Sequence, residues 1–281
     1  MIAAALALSM ASASVPGTTP SFDGVKIRYE SMGSGQTALV FVHCWSCDRH
    51  LWDGQWARLA RDYRVVTLDL AGHGESGQDR KAWTIEAFGE DVVAVARRLE
   101  LERIVLVGHS MGGPVILEAA RRLPGRVVGL VPVDTLHDVE SKETPQAIDG
   151  FLAPFSSDYK AAAAKFIRDF MFVPTSDPKL VERIVVKTQA APPEIAIAAL
   201  RSAFSYGAAV AIEAVKVPIH AINGDKFPTN VEANRRHAPQ YRLTLMKSVG
   251  HYLMLERPEE FDRLLRETLE SLLVEPKAKA R

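Results

Sequence analysis

The chain has 281 residues, 47% of them hydrophobic and 24% charged, with 34 basic and 34 acidic side chains cancelling to a formal net charge of zero. That balance argues against nucleic acid or an anionic membrane surface as the main partner, since both call for a strong positive field. A small, largely apolar substrate fits it better, and the length allows one large buried core.

In chain order, the opening run from Met1 to Ser14 has an apolar centre and a small-residue cleavage pattern, with a cut expected after about Ala13. It lacks the usual positive leader, and it is shorter than the roughly 20 apolar residues of a spanning helix, so no stable membrane span is expected. Residues 1–20 are therefore expected to be a signal or a disordered extension. A secreted or periplasmic location is preferred, with a cytoplasmic one as the alternative. Strands are predicted at Val25–Tyr29, Leu39–His43, Val65–Asp69, Ile104–Gly108, Val127–Asp134, Ile219–Asn223 and Leu243–Lys247. Several are apolar at consecutive positions, as strands buried on both faces require. Amphipathic helices are predicted at Ile85–Leu99, Val115–Leu123 and Pro258–Leu273. Strand and helix alternate, which implies an α/β fold with a mostly parallel, twisted sheet and helices on both faces.

Two stretches depart from this rhythm. Cys44 and Cys47 are the only cysteines; they sit in a loop after a strand, not at a helix start, so two unpaired thiols are expected over a thioredoxin-like redox motif. Between residues 138 and 214 strand signals vanish, and the Ala-rich segments Tyr159–Phe172, Leu180–Thr188 and Glu194–Phe204 predict a helical insertion between two strands. Its Phe151, Phe155, Phe166, Phe170, Met171 and Phe172 either line an apolar acyl pocket or form the insertion's own core.

The chemistry is concentrated at Gly108-His109-Ser110-Met111-Gly112-Gly113, where a strand pattern turns into a helix pattern. A serine hydroxyl attacks only when a base takes its proton and donors stabilise the oxyanion that forms. The Gly-x-Ser-x-Gly turn exposes the serine on a strained bend and aims a helix N-terminus at the reacting centre. Ser110 is the predicted nucleophile. Among the later histidines, His220 falls in an apolar strand and His237 in a charged helical stretch.

The chain resembles the α/β-hydrolases from Val25 to Leu273. The resemblance rests on Phe-Val-His-Cys-Trp, Asp-Leu-Ala-Gly-His-Gly-Glu-Ser, the serine turn, and Val-Gly-His-Tyr-Leu-Met-Leu-Glu-Arg-Pro, in that order. It implies an α/β-hydrolase fold, with a core over residues 21–137 and 215–275 and a helical cap over residues 138–214. It implies His251 as general base and the backbone N–H groups of Trp45 and Met111 as the oxyanion hole. Relatives carry glycine where this chain has Cys44, whose Cβ resists a sharp bend. The usual slot for the acid holds Phe227. The resemblance then offers Asp134, at the end of the strand after the serine helix, as the preferred acid, and Asp225 as the alternative. The Gly-rich turn Asp69–Gly77 has the wrong spacing for phosphate binding and is taken as scaffold.

With no metal or cofactor motif, the expected reaction is hydrolysis of a small apolar carboxylic ester through an acyl-enzyme on Ser110. A β-diketone C–C hydrolase, a lactonase or a perhydrolase on the same residues is the alternative. From another class, the chain can be a receptor-like homologue that binds a small ligand with little turnover.

Overall fold

The computed structural model describes residues 14–273. Eight strands form one sheet: β1 (Val15–Pro20), β2 (Lys26–Met32), β3 (Ala38–Val42), β4 (Arg64–Leu68), β5 (Ile104–His109), β6 (Val127–Val133), β7 (Ile219–Gly224) and β8 (Tyr241–Met246). Their order is β1-β2-β4-β3-β5-β6-β7-β8. The β1–β2 and β2–β4 pairs are antiparallel and the rest parallel.

The consecutive apolar residues of β3 and β5 divide between two cores, because side chains alternate across a strand. Val40, Val42 and Leu106 face one core, with Phe88, Val92 and Ile116 from α2 (Ile85–Arg98) and α3 (Gly112–Arg122). Leu39, Phe41 and Val107 face the other, with Trp52, Phe261 and Leu265. That second face is covered by α1 (Asp53–Leu59) and by α11 (Pro258–Leu273).

Five helices interrupt the sheet between β6 and β7: α4 (Pro145–Ser157), α5 (Tyr159–Phe166), α6 (Pro178–Gln189), α7 (Pro193–Ser205) and α8 (Ala208–Ala214). They form a cap-like insertion. Local chemistry sets their starts: Thr144, Asp158 and Asp177 each accept a hydrogen bond from a backbone N–H of the first turn, and proline opens α4, α6 and α7. A π-turn, Ile167–Met171, continues α5 where the sequence suggested one helix to Phe172. The short helices α9 (Val231–His237) and α10 (Leu253–Glu256) complete the set. Among the described residues no single helix is long and apolar enough to cross a membrane.

Two expectations change. Val15–Pro20 is not part of a disordered extension; it is an edge strand running antiparallel to β2. Its prolines hid the strand pattern, yet an edge position tolerates them because one side needs no ladder bonds. The predicted signal run and its cut after about Ala13 lie outside the described residues. Cys44 and Cys47 are not free thiols: they form a disulfide, their Cα atoms 5.4 Å apart, a span that suits such a bond. The turn made by the Cys47 N–H donating to the Cys44 carbonyl at 3.3 Å brings them together.

Candidate active site

Strand β5 ends in a tight turn into α3, with Ser110 at φ +54°. That conformation costs a non-glycine residue roughly 1–3 kcal/mol and persists only where neighbours enforce it. Here the Ser110 N–H donates to the Val133 carbonyl at 3.0 Å, and the Ser110 carbonyl accepts from Gly113 at 2.8 Å. The glycines are needed for space. A Cβ on Gly108 would meet the Gly112 carbonyl oxygen at 2.3 Å, and one on Gly112 would meet the Val42 oxygen at 2.7 Å.

His251 follows β8 through Val249 and Gly250 and is buried. Its Nδ1 lies 2.5 Å from Oδ2 of Asp134, which sits just beyond β6 and is itself buried. The other carboxylate oxygen of Asp134 accepts the Gly224 N–H at 2.8 Å, and the Asp134 N–H donates to the Ile222 carbonyl. Strand β7 therefore fixes the carboxylate that meets the imidazole. Asn223, at the end of the same strand, braces the next residue by accepting the Thr135 N–H and donating to the Thr135 carbonyl.

Asp225 is elsewhere. It is exposed, and its carboxylate accepts the Ser248 N–H at 2.8 Å, capping a surface turn. Phe227, in the slot that relatives use for the acid, packs its ring on His137 and His251, at centroid distances of 5.7 and 6.4 Å. His137 stands near the second oxygen of Asp134 at 3.9 Å. Burial, the largest influence, lowers its pKa. Of the remaining histidines, His220 is bonded to Thr244, and His237 to Glu140 and Glu213.

The loop after β3 holds the disulfide. His43 Nδ1 faces the Cys44 carbonyl at 2.7 Å, while its Nε2 accepts the Leu70 N–H at 3.0 Å, which fixes the tautomer with the proton on Nδ1. Burial lowers the His43 pKa to about 4, so the ring is neutral. The backbone bend falls at Ser46, with φ +52°, and not at Cys44. Residue 44 thus needs no glycine for its own φ. Among the described residues, the N–H groups of Trp45 and Met111 meet no acceptor. The Trp45 indole reaches into the cap and donates to the Ala196 carbonyl at 2.8 Å.

Ser110, His251, Trp45 and Met111 line one cavity of about 250 Å³. The cap contributes Phe166, Ile167, Met171, Leu200 and Phe204 to its wall, and among the described residues no Asp, Glu, Lys or Arg lines it. Of the insertion's aromatic residues, Phe166 and Phe204 thus face the cavity, while Phe151 and Phe155 pack on Phe166 and do not line the cavity. Phe172 is buried and stacks on Tyr252, and Phe170 is exposed. The turn Asp69–Gly77 is braced by the Asp69 carboxylate, which accepts from Arg49 and from the Glu75 N–H. Sequence reasoning did not single out Asn223, which braces Thr135, or Tyr252, which lines the cavity and stands directly after His251 in the histidine motif.

The family profile of the alpha/beta hydrolases matches residues 39–264, and the chain belongs to that family. A component of the acetoin cleaving system of Pseudomonas putida, a dihydrolipoyllysine-residue acetyltransferase, is 28% identical over 244 residues, covering 84% of this chain and 64% of that one. A non-heme chloroperoxidase of Streptomyces lividans is 33% identical over 151 residues, covering 53% of this chain and 54% of that one. The chain thus spans less than two thirds of these relatives' lengths. A thermophilic esterase from Thermogutta terrifontis superposes with a TM-score of 0.79 at 27% identity, covering 93% of this chain and 99% of that one.

Proposed function

We propose that the protein is a serine hydrolase of small, neutral carboxylic esters, with Ser110 as nucleophile, His251 as base and Asp134 as the acid that orients it. The supporting observation is the His251 Nδ1–Asp134 Oδ2 bond at the edge of a cavity that Ser110 shares. With Nδ1 donating to the carboxylate, Nε2 is the nitrogen left to take the serine proton. Ser110 Oγ attacks the ester carbonyl, and the oxyanion is met by the free N–H groups of Trp45 and Met111, donors of a kind worth roughly 3 kcal/mol each. The imidazolium returns the proton to the departing alcohol, and water, deprotonated by His251, then releases the acid.

The cavity's size and its lack of charged side chains support the substrate class. It is smaller than the roughly 300–1,000 Å³ of a typical drug-sized ligand pocket. Hydrogen peroxide in place of water would give a peracid from the same acyl-enzyme, a second reading favoured by the chloroperoxidase relative. Hydrolysis of p-nitrophenyl esters of increasing acyl length, with fluorophosphonate labelling of wild type and Ser110→Ala, tests the reading. Labelling and turnover that vanish in the variant are expected. Equal labelling of both proteins would refute it, and tight binding without turnover would favour a receptor-like role. We place the protein outside the cytoplasm as a further part of this proposal, on the strength of the N-terminal sequence alone.

A further inference from the structure

His109, at the end of β5, is the one polar side chain of the serine turn that the hydrolytic scheme leaves unused. It is fully buried, and its Nε2 lies 2.8 Å from the backbone carbonyl of His251. A carbonyl only accepts, so the proton sits on Nε2. Burial first, and the neighbouring His251 second, hold the His109 pKa well below the usual histidine value, so the ring donates as a neutral group. Among the described residues its Nδ1 has no partner. An apolar side chain would fill this space without burying an unsatisfied nitrogen, so packing alone does not account for an imidazole here. The ring is also fixed in place, 4.5 Å from the His251 ring and 5.4 Å from that of Tyr252.

The other main-chain polar group of the same residue is held by the cap. The His251 N–H donates to the Met171 carbonyl at 2.7 Å, at the end of the cap's π-turn. The main chain of residue 251 is therefore gripped twice, by the cap through its N–H and by the serine turn through its C=O.

We propose that His109 is a positioning residue for His251, tying the main chain that carries the base to the turn that carries Ser110. The inference rests on the serine-hydrolase reading. Because Ser110 and His109 are adjacent, one rigid turn sets the place of the nucleophile and of the base's backbone together. Misplacement of such groups by about 1 Å is enough to cost on the order of a hundredfold in rate.

The test compares His109→Phe, which fills the space without a donor, with His109→Gln, whose amide can donate to the same carbonyl. Two readouts are taken on folded protein: hydrolysis of p-nitrophenyl butyrate, and the downfield proton resonance of the His251 Nδ1–H···Asp134 bond. We expect His109→Phe to lose roughly ten- to a hundredfold in kcat with KM within about twofold, and to lose or shift the proton signal. His109→Gln should recover most of both. A His109→Phe variant with wild-type kcat and an unmoved signal would overturn the proposal, as would equal losses in both variants. If wild type shows no Ser110-dependent hydrolysis, the hydrolase reading fails by itself, and the proton signal still decides whether His109 positions His251.

Discussion

The strand ends and the cap handle polar groups in opposite ways. At the strand ends, polar side chains are buried and bonded, and non-glycine residues are held at positive φ: Ser46, Ser110, Asp134 and Leu136. The cap facing them is an aromatic cluster around Phe151, Phe155 and Phe166, with its ion pairs, such as Arg168–Glu182 and Arg201–Asp149, out in solvent. Strain and buried polarity are affordable where a sheet stacked on two cores enforces them. The cap meets that framework through a few bonds, among them His251 N–H to Met171, Trp45 to Ala196, and Tyr206 to Glu118. In the proposed hydrolase the strand ends carry the chemistry and the cap shapes the substrate.

The largest expected effect breaks the rigid side. Asp134→Asn should lower kcat about ten-thousand-fold, as an amide favours the wrong imidazole tautomer. Asp225→Asn, which touches only a surface turn, should stay within about threefold. Comparable, modest losses in both would remove Asp134 from its proposed role.

Acid should separate the two regions next. His43 and His73 lie buried beside the strand ends, with pKa values lowered by burial to about 4 and about 3. The unfolded chain takes up these protons near pH 6.5 and the folded one does not, so stability is full above that pH and falls as the pH drops. The loss from His43 accrues down to about pH 4 and that from His73 down to about pH 3. Each group contributes roughly 1.4 kcal/mol per pH unit inside its window. Urea melts between pH 7 and pH 4 measure it; His73→Gln should flatten the slope.

On the cap side, Phe166→Ala should enlarge the cavity, shifting the preferred acyl chain to greater length and raising KM for short esters about tenfold. Because Asp134 and His251 are held by other elements, kcat for a chain that refills the space should change little. The smallest effect concerns the oxyanion loop. Cys44→Gly removes the disulfide without relieving any strain at residue 44, so turnover should drop a few-fold, and dithiothreitol should do the same to wild type. A rise in turnover would mean that the disulfide-bonded side chain of Cys44, and not the loop's freedom, limits the donor at Trp45.

How much was legible follows from the distance over which each feature is decided. The buried strands β3 to β7 and the helix from Pro258 to Leu273 show in the local pattern, because burial on two faces or one stripe writes itself into consecutive residues. The serine turn was equally plain, since Gly108 and Gly112 stand where any Cβ would collide. Strand β1 was not, because an edge strand needs little apolar surface and tolerates the prolines that argue against it.

Sequence by itself determined the α/β order, the bend at Ser110 and the histidine loop, all of which depend on a few neighbouring residues. Only the tertiary structure shows that Asp134, and not Asp225, meets the His251 imidazole, since that contact joins different strand ends; it likewise closed the Cys44–Cys47 bond. It also decided which cap aromatics face the cavity and which pack behind it. Spacing along a chain limits what a residue can do, but hydrogen bonds only a few ångströms long, made between strands far apart in sequence, select what it does.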